Sequence, residues 1–247
     1  MNEMYGILHH ADFRDRVHEL EDGSVDCLIT DPPYGINYKS DRRKVALFKD
    51  GDAAIIGDGL DESLVLLDDM CRLMKPKMKP DAHIYIFTTW RVMHLVVPVV
   101  SKYFYVKNCL VWDKRVHGSG DLAHDYAPQH EFILYCWLDK DSGRPLSLPR
   151  PTNVLTFMRL YGSQMSHPTE KPLSLLQFLI EKSVSNGGLV VDTFAGSGTT
   201  LVAAKSLGCR YWGCEIDREY YEVAKRRLSD DVQLRLDVFD NPTCHLG

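Results

Sequence analysis

Asp31, Pro32, Pro33 and Tyr34 directly follow Val25–Thr30, a largely apolar run that the sequence predicts as a strand. Two consecutive prolines fix the backbone and remove two N–H donors, so the turn presents carbonyl oxygens and one carboxylate. This acceptor-only pocket suits a primary amine on an aromatic ring, because the Asp31 carboxylate and the Pro32 carbonyl can each receive one hydrogen. The amine nitrogen then becomes nucleophilic toward an electrophilic carbon, and Tyr34 can stack on the ring. An ordinary strand-terminating turn is the alternative.

A glycine-rich segment follows the predicted strand Gly188–Asp192 and opens a predicted helix. Glycine at such a junction permits a tight turn and the close approach of a ligand. A phosphate-binding loop of the ATPase type would need a lysine where Gly198 stands, directly before Thr199, so that class is disfavoured. The candidate ligand-binding residues of the segment are Asp192, Phe194, Ala195, Gly196, Ser197, Gly198, Thr199 and Thr200.

Glu215 ends the next predicted strand, 19 residues after Gly196. An acidic side chain about 20 residues beyond the glycine turn can accept hydrogen bonds from ribose hydroxyls. Asp217 is expected to cap the following helix and to lie in the same ligand site. The pair of motifs indicates an adenosine-containing ligand, and from the residues alone both NAD and S-adenosylmethionine remain open, as does a plain loop with a helix cap.

Composition limits the class of protein. The chain has 247 residues, 45% of them apolar, which is ample for one buried core and excludes disorder. The N-terminus lacks a signal-peptide pattern and no apolar run is long enough to cross a bilayer, so we expect a cytoplasmic protein with no membrane partner. Seven cysteines without a Cys-x-x-Cys pair favour reduced packing residues over disulfides or a zinc site, and no metal is expected.

Predicted strands and helices alternate along the chain, which indicates an α/β protein with a doubly wound, mainly parallel sheet. The predicted strands are Tyr5–His9, Val25–Thr30, His83–Thr88, Tyr105–Trp112, Glu131–Leu138, Gly188–Asp192 and Tyr211–Glu215. The predicted helices are Arg14–Leu20 (a helical turn), Leu60–Met74, Arg91–Tyr103 with a kink at Pro98, Leu173–Val184, Ser197–Leu207 and Asp217–Leu228. The ranges Asn37–Asp58 and Asp139–Ser166 are predicted as mostly loop.

Together, Asp31–Tyr34 and Phe194–Thr200 resemble the motifs of the S-adenosylmethionine-dependent amino-group DNA methyltransferases. A third element, His167–Pro172, precedes the helix before the glycine loop, and the order is similar to the permuted beta group of that family. The resemblance covers roughly Gly6–Leu228. It implies a Rossmann-like sheet, mostly parallel with one antiparallel strand, in circularly permuted motif order. It also implies a single domain over residues 1–247, with a small target-recognition insert within about 115–166.

The resemblance implies roles for individual residues. Asp31 and the glycine-loop residues Asp192–Thr200 would surround the methyl donor, with Glu215 on its ribose. Thr169 and Lys171 would line the methionine end, and Asp12 would meet the adenine amino group of the donor. A surface aspartate that begins the next helix is the alternative for Asp12. Trp112, Asp113 and Lys114 resemble a segment near the acceptor base, although a core role for Trp112 is equally compatible.

The resemblance also implies the reaction. Asp at the first position of the tetrapeptide favours transfer of a methyl group to the N6 amino group of adenine in double-stranded DNA, at a specific site, after base flipping. Methylation of the cytosine N4 amino group is the main alternative. An NAD-dependent oxidoreductase and a non-catalytic DNA-binding relative are the interpretations from other classes.

The net charge of −5 first argues against a nucleic-acid partner, but basic residues concentrate in two segments. The expected phosphate contacts are Lys39, Arg42, Arg43, Lys44, Lys114 and Arg115, with Arg144, Arg150 and Arg159 beyond them. The recognition insert is short, so we expect a short recognition sequence read with help from a second copy of the chain, as a homodimer.

Overall fold

A computed structural model describes residues 6–34, 59–117, 124, 126–159 and 170–229. Within these ranges the strands are β1 (Gly6–His10), β2 (Val25–Thr30), β3 (Met78–Thr88), β4 (Tyr105–Asp113), β5 (His130–Trp137), β6 (Val154–Thr156), β7 (Leu189–Asp192) and β8 (Arg210–Glu215). The helices of the same ranges are α1 (Phe13–Arg16), α2 (Leu60–Met74), α3 (Trp90–Val100), α4 (Leu173–Ser183), α5 (Thr199–Ser206) and α6 (Arg218–Ser229). Short 3-10 turns, Val17–Glu19 and Lys75–Lys77, extend α1 and α2.

The described strands form one sheet in the order β1-β8-β7-β2-β3-β5-β4-β6. Strand β5 runs antiparallel to its neighbours β3 and β4, and every other pairing in the described sheet is parallel. The predicted fold class, a mostly parallel sheet with one antiparallel strand, is therefore confirmed. The chain leaves β2 toward β3 but leaves β7 toward β8 on the other side, so the strand order reverses between β2 and β7.

Parallel pairing brings the ends of several strands to one side of the sheet. We call this side the carboxyl edge, where Thr30, Asp192 and Glu215 end β2, β7 and β8, and the opposite side the amino edge. In open α/β sheets, ligands bind outside the carboxyl ends of strands where the strand order reverses. The fold therefore places the predicted tetrapeptide and glycine loop at the favoured position for a ligand.

The core lies on both faces of the sheet because side chains alternate along each strand. Leu28 of β2 and Ile84 of β3 pack with α2 and α3 on one face. Ile29 and Tyr85, one residue later, pack with α4 and α5 on the other. All six residues of β2 are buried, as expected for a central parallel strand covered on both sides.

The structure changes some predicted boundaries. Strand β3 begins at Met78, five positions before the predicted start, and pairs with β2 through an irregular register near Val25. Helix α3 ends at Val100, so the predicted extension to Tyr103 is wrong, since residues 101–103 form turns instead. Strand β6 lies in the predicted loop and was missed because three residues carry too little alternation to detect.

The six described cysteines are all free thiols, and burial raises the pKa of Cys27. Among the described residues, no cluster of three or more His, Cys, Asp or Glu side chains is arranged to hold a metal ion. The described helices are all too short or too polar to cross a membrane.

Gly198, directly before α5, has a close neighbour on α6. Its φ of 79° lies in the left-handed region, and a Cβ atom at this position would stand 2.7 Å from the Cβ of Ala224. Gly196, at φ 54°, has nothing within 4 Å of such an atom. Position 198 therefore favours glycine both for its left-handed backbone angle and for its close approach to Ala224. Position 196 favours glycine for its backbone angle alone.

We expect Gly198→Ala to lower the free energy of unfolding by about 2–4 kcal/mol, because backbone strain and overpacking add. Gly196→Ala, the matched control, should lose only about 1–2 kcal/mol from the backbone angle. Urea unfolding followed by circular dichroism measures both. Equal losses in the two variants would contradict the packing argument.

Candidate active site

The end of the strand that leads into the tetrapeptide touches the start of the glycine loop at the carboxyl edge. The hydroxyl of Thr30, directly before Asp31, donates to the Asp192 carboxylate at 3.2 Å and lies 3.0 Å from the Thr193 hydroxyl. These residues are 162 and 163 positions apart in the chain. The pairing of β2 with β7 thus brings the two predicted motifs into a single site.

In the tetrapeptide, Pro32 is buried, while Asp31, Pro33 and Tyr34 remain partly exposed. The Tyr34 hydroxyl donates to Oδ1 of Asp31, and its ring packs against the core face that holds α2 and α3. Burial, followed by the nearby carboxylates of Asp31 and Glu131, raises the pKa of Tyr34. Tyr34 therefore stays a neutral phenol that can donate a hydrogen bond.

A row of alternating charges begins at Asp31. The Lys171 ammonium lies 2.5 Å from Oδ2 of Asp31 and 3.2 Å from Oε2 of Glu131, and the Lys114 ammonium contacts Oε1 of Glu131. We call Asp31, Lys171, Glu131 and Lys114 the active-site charge row. It joins the predicted catalytic carboxylate to the strand that precedes the predicted recognition segment.

The inner members of this row are charged although the protein surrounds them. Burial opposes the charged form of Lys171, but Asp31 and Glu131 outweigh it and raise the pKa of Lys171. Burial likewise opposes ionisation of Glu131, but Lys171 and Lys114 outweigh it and lower the pKa of Glu131. Each buried charge thus depends on its neighbours in the row.

Glu215 holds the glycine loop from β8. Its carboxylate accepts from the backbone N–H of Gly196 at 2.7 Å and from that of Asp217 at 2.8 Å. Glu215 is 9% exposed, and burial raises its pKa. The Ala195 N–H donates to the Cys214 carbonyl at 2.9 Å, so the loop is tied to β8 at consecutive residues.

Arg227 of α6 binds the glycine loop from the side on which α6 packs. One guanidinium nitrogen, Nη1, lies 2.9 Å from the Ser197 carbonyl and hydroxyl, the Thr199 hydroxyl and the Glu170 carboxylate. The Glu170 side chain is 3% exposed. Sequence reasoning missed Arg227 and Glu170, because a basic residue in the last turn of a helix is typical of a solvated helix end. The only available signal was the place of Glu170 in the His167–Pro172 motif.

Asp192 is a buried acceptor under the loop. It accepts from the Phe194 N–H at 3.0 Å and from Thr30 and Thr200. Burial is the largest influence and raises the pKa of Asp192 to about 7, against the opposing effect of these hydrogen bonds. Asp192 therefore supports the loop as an acceptor that can hold a proton near neutral pH.

Asp12 and Asp217 both act as helix caps. Asp12 accepts from the Arg14 N–H at 2.9 Å and pairs with the Arg14 guanidinium at 2.6 Å, as its alternative interpretation expected. Asp217 accepts from the N–H groups of residues 219 and 220. Asp12 lies at the carboxyl edge, since the neighbouring Ala11 N–H donates to the Glu215 carbonyl at 3.0 Å. Their predicted contacts with a donor stay predictions.

The residues predicted to contact DNA differ in whether the structure describes them and in how exposed they are. Lys39, Arg42, Arg43 and Lys44, and the predicted donor residue Thr169, lie outside the described residues. Lys114 belongs to the charge row with a side chain 16% exposed, whereas Arg115 is exposed at a φ of 61°.

Of two other predicted positions, Trp112 is buried in the core and Arg144 lies at the opposite edge of the sheet from the site. Trp112 is buried and donates to the Phe157 carbonyl at 2.8 Å, which supports the core role. Arg144 pairs with Asp26 and Asp81 at the amino edge. Its predicted phosphate contact stays a prediction, since its guanidinium is occupied by these two carboxylates in the described structure.

The sequence profile of the N6_N4_Mtase family, described as DNA methylase, matches residues 25–226. The chain belongs to the N6/N4 DNA methylase family. It is a DNA methyltransferase, which decides against the oxidoreductase interpretation.

The chain is 33% identical over 208 residues to the putative methylase YubD of Escherichia coli K12, covering 83% of this chain and 82% of YubD. It is 28% identical over 258 residues to DNA adenine methyltransferase YhdJ of the same organism, covering 92% of this chain and 83% of YhdJ. The crystal structure of the M1.HpyAVI-SAM complex superimposes with a TM-score of 0.70 at 24% identity, covering 91% of this chain and all of that one. This last likeness concerns the fold.

The pKa of Asp192 makes stability depend on pH. The unfolded carboxyl titrates at about 3.9, whereas the folded one titrates at about 7. Between these values the folded state binds a proton that the unfolded chain has lost, so the Asp192 contribution to the free energy of unfolding falls as pH rises from about 4 to about 7. Asp192→Asn should remove this fall, by up to about 1.4 kcal/mol per pH unit.

Urea unfolding at several pH values from 5 to 7.5 measures this difference. Asp15→Asn, at an exposed carboxylate of α1, is the matched control and should leave the slope unchanged. Parallel curves for the wild type and Asp192→Asn would refute the assigned titration.

Proposed function

We propose that the protein transfers a methyl group from S-adenosylmethionine to the N6 amino group of adenine in double-stranded DNA, at a specific site. The observation that carries the proposal is the contact of Thr30 with Asp192 and Thr193, which sets the Asp31 turn beside the glycine loop. A donor held on the loop and an amine held on the turn would share one crevice.

The residues at the glycine loop fit this donor. Gly196 adopts the left-handed backbone conformation and faces open space, so a ligand can approach the loop backbone closely. Glu215 stands at the end of the neighbouring strand, as required for a carboxylate that meets ribose hydroxyls. Arg227 and Glu170 fix the loop from behind, which limits the reorganisation that binding requires.

The tetrapeptide would make the amine nitrogen of the target base nucleophilic. The Asp31 carboxylate and the Pro32 carbonyl receive the two amino hydrogens, which frees the nitrogen lone pair from the aromatic ring. A carboxylate offers about four acceptor sites, so Asp31 can receive the amine while it contacts Tyr34 and Lys171. When bound, S-adenosylmethionine would supply an electrophilic methyl carbon, with a neutral thioether as its leaving group. The target nitrogen would gain the methyl group and lose one proton to the Asp31 carboxylate, which already accepts a hydrogen bond from it.

A base inside a duplex hides its amino group from this turn, so the target must be flipped out. Unstacking costs a few kcal/mol, which stacking on a protein aromatic ring can offset. Tyr34 is partly exposed and fixed by its hydrogen bond to Asp31, so it offers such a surface.

Adenine is proposed because the tetrapeptide begins with Asp31 and because YhdJ, to which the chain is 28% identical, is a DNA adenine methyltransferase. Cytosine N4 methylation is the second candidate, since the matched family spans both amino groups. Both reactions need the same acceptor geometry, and the target base therefore has to be measured.

Methylation of plasmid DNA, followed by digestion to nucleosides and mass analysis, identifies the base. We expect N6-methyladenine from the wild type and a rate about a hundredfold to a thousandfold lower from Asp31→Ala, because a preorganised group at the reacting centre is removed. Asp15→Ala, at an exposed carboxylate of α1, is the control and should keep full activity. N4-methylcytosine would replace the adenine assignment, and unreduced transfer by Asp31→Ala would refute the role of the turn.

DNA binding should weaken with added salt, because basic side chains displace counterions from phosphates. Replacement of Arg115 by Ala, alone and with Lys39, Arg42, Arg43 and Lys44, should reduce the slope of log affinity against log salt by about 0.9 for each phosphate that the variant no longer neutralises. Fluorescence anisotropy with a labelled duplex measures the slope.

Arg226→Ala is the matched control for the salt experiment. Arg226 is exposed in the last turn of α6, which starts at the carboxyl edge and runs away from it. This variant should keep the wild-type slope. Binding that does not depend on salt would contradict the proposed phosphate contacts.

A further inference from the structure

Glu131 belongs to none of the three sequence motifs, yet its carboxylate lies inside the active-site charge row. Its side chain is 21% exposed, and it contacts Lys171 at 3.2 Å as well as Lys114. An ionised carboxylate that the protein largely shields from water is costly unless it is paired. The structure thus maintains a second carboxylate beside the catalytic turn, with the Lys171 ammonium between it and Asp31.

The antiparallel direction of β5 brings Glu131 to the site. Because β5 runs against β3 and β4, its first residues lie at the carboxyl edge, and Glu131 pairs in register with Trp112 of β4. Ile133, two positions later, packs on the face of the sheet that holds α4. Glu131 is therefore directed toward the same face as Lys171, which stands two residues before α4.

Lys171 is shared between two carboxylates. Its ammonium has three donors, of which one contacts Asp31 and another faces Glu131. Its Nζ also lies 5.0 Å from the centre of the Phe87 ring, which is buried and offers no competing acceptor. If Glu131 were neutral, Asp31 would carry the whole attraction of this cation. Lys171 would then compete with an incoming amine for the Asp31 oxygens.

We propose that Glu131 is a positioning residue for methyl transfer, which acts through Lys171. It holds the ammonium between two carboxylates, so that Asp31 keeps acceptor capacity for the hydrogens of the target amino group. This inference rests on the proposed methyl transfer at Asp31. It assigns to β5 a role in catalysis that lies outside the three sequence motifs.

Asp26 provides a matched comparison at the amino edge. Its carboxylate is 7% exposed and pairs with two cations, Lys79 at 2.7 Å and Arg144 at 3.2 Å. It also accepts from the Leu189 N–H at 2.9 Å, so it ties β2 to the start of β7. Each carboxylate pairs with two cations, and Asp26 is the more buried of the two, but only Glu131 lies beside the catalytic turn. A purely structural role would make their variants behave alike.

The test is a double-mutant cycle on the single-turnover rate of methyl transfer, with donor and DNA both saturating. Glu131→Gln should lower this rate about tenfold to a hundredfold, a loss typical of residues that orient a reacting group. Lys171→Met should lower it as well. The variant with both changes should be no slower than Lys171→Met alone, because Glu131 has no effect left to exert once Lys171 is gone.

Asp26→Asn should reduce the melting temperature but keep the rate within about twofold of the wild type, measured where the variant is folded. An unchanged rate in Glu131→Gln, or a full additional loss in the double variant, would overturn the inference. If Glu131→Gln does not fold, Glu131→Asp keeps the charge on a shorter side chain, and the same cycle with Lys171→Met applies.

The experiment separates this inference from the proposed function. Transfer of labelled methyl groups to DNA is counted whichever base receives them, so a cytosine target leaves the cycle intact. A wild type that methylates no DNA would refute the proposed function. A wild type that methylates DNA, together with an unaffected Glu131→Gln variant, would refute the role of Glu131 alone.

Discussion

The parallel pairing of β2 with β7 is the constraint on which the site depends. These strands meet where the strand order reverses, and their ends carry the acceptor turn and the glycine loop. The contacts of Thr30 with Asp192 and Thr193 then fix the distance between the two. Because both strands are buried in the centre of the sheet, this distance is set by the rigid core rather than by the loops themselves.

Charge is the second organising factor. The charge row alternates in sign from Asp31 to Lys114, and its inner members have little contact with water. Removing one partner of a buried ion pair leaves an uncompensated charge, so the loss of one member destabilises the charged forms of its neighbours in the row. The glycine loop is held in a different way: the Glu215 carboxylate accepts from the Gly196 N–H, and the Arg227 guanidinium donates to the Ser197 carbonyl. The surroundings of Asp31 therefore depend on ion pairs, and the glycine loop depends mainly on hydrogen bonds.

Most strands and helices of the fold could be predicted from local sequence patterns. Apolar runs ending in Asp31, Asp192 and Glu215 were enough to predict the central strands, and family resemblance added the antiparallel strand. The early start of β3 at Met78 was not predictable, because Pro80 and charged neighbours interrupt its apolar pattern. Strand β6 exists only through its pairing with β4, and three residues leave no periodic signal.

The supporting shell of the site was the part that the sequence did not reveal. Glu131 and Arg227 look like ordinary charged residues in their own segments, and Glu170 stands in the His167–Pro172 motif without any sign of its partner. Their importance arises from tertiary contacts: Arg227 pairs with the carboxylate of Glu170, 57 positions earlier in the chain, and Glu131 pairs with Lys171, 40 positions later. A motif can be recognised in the sequence because its functional residues are neighbours along the chain. The residues that hold a motif in place are chosen by the fold, and only the folded chain shows which charges must be neutralised around Asp31 and the glycine loop.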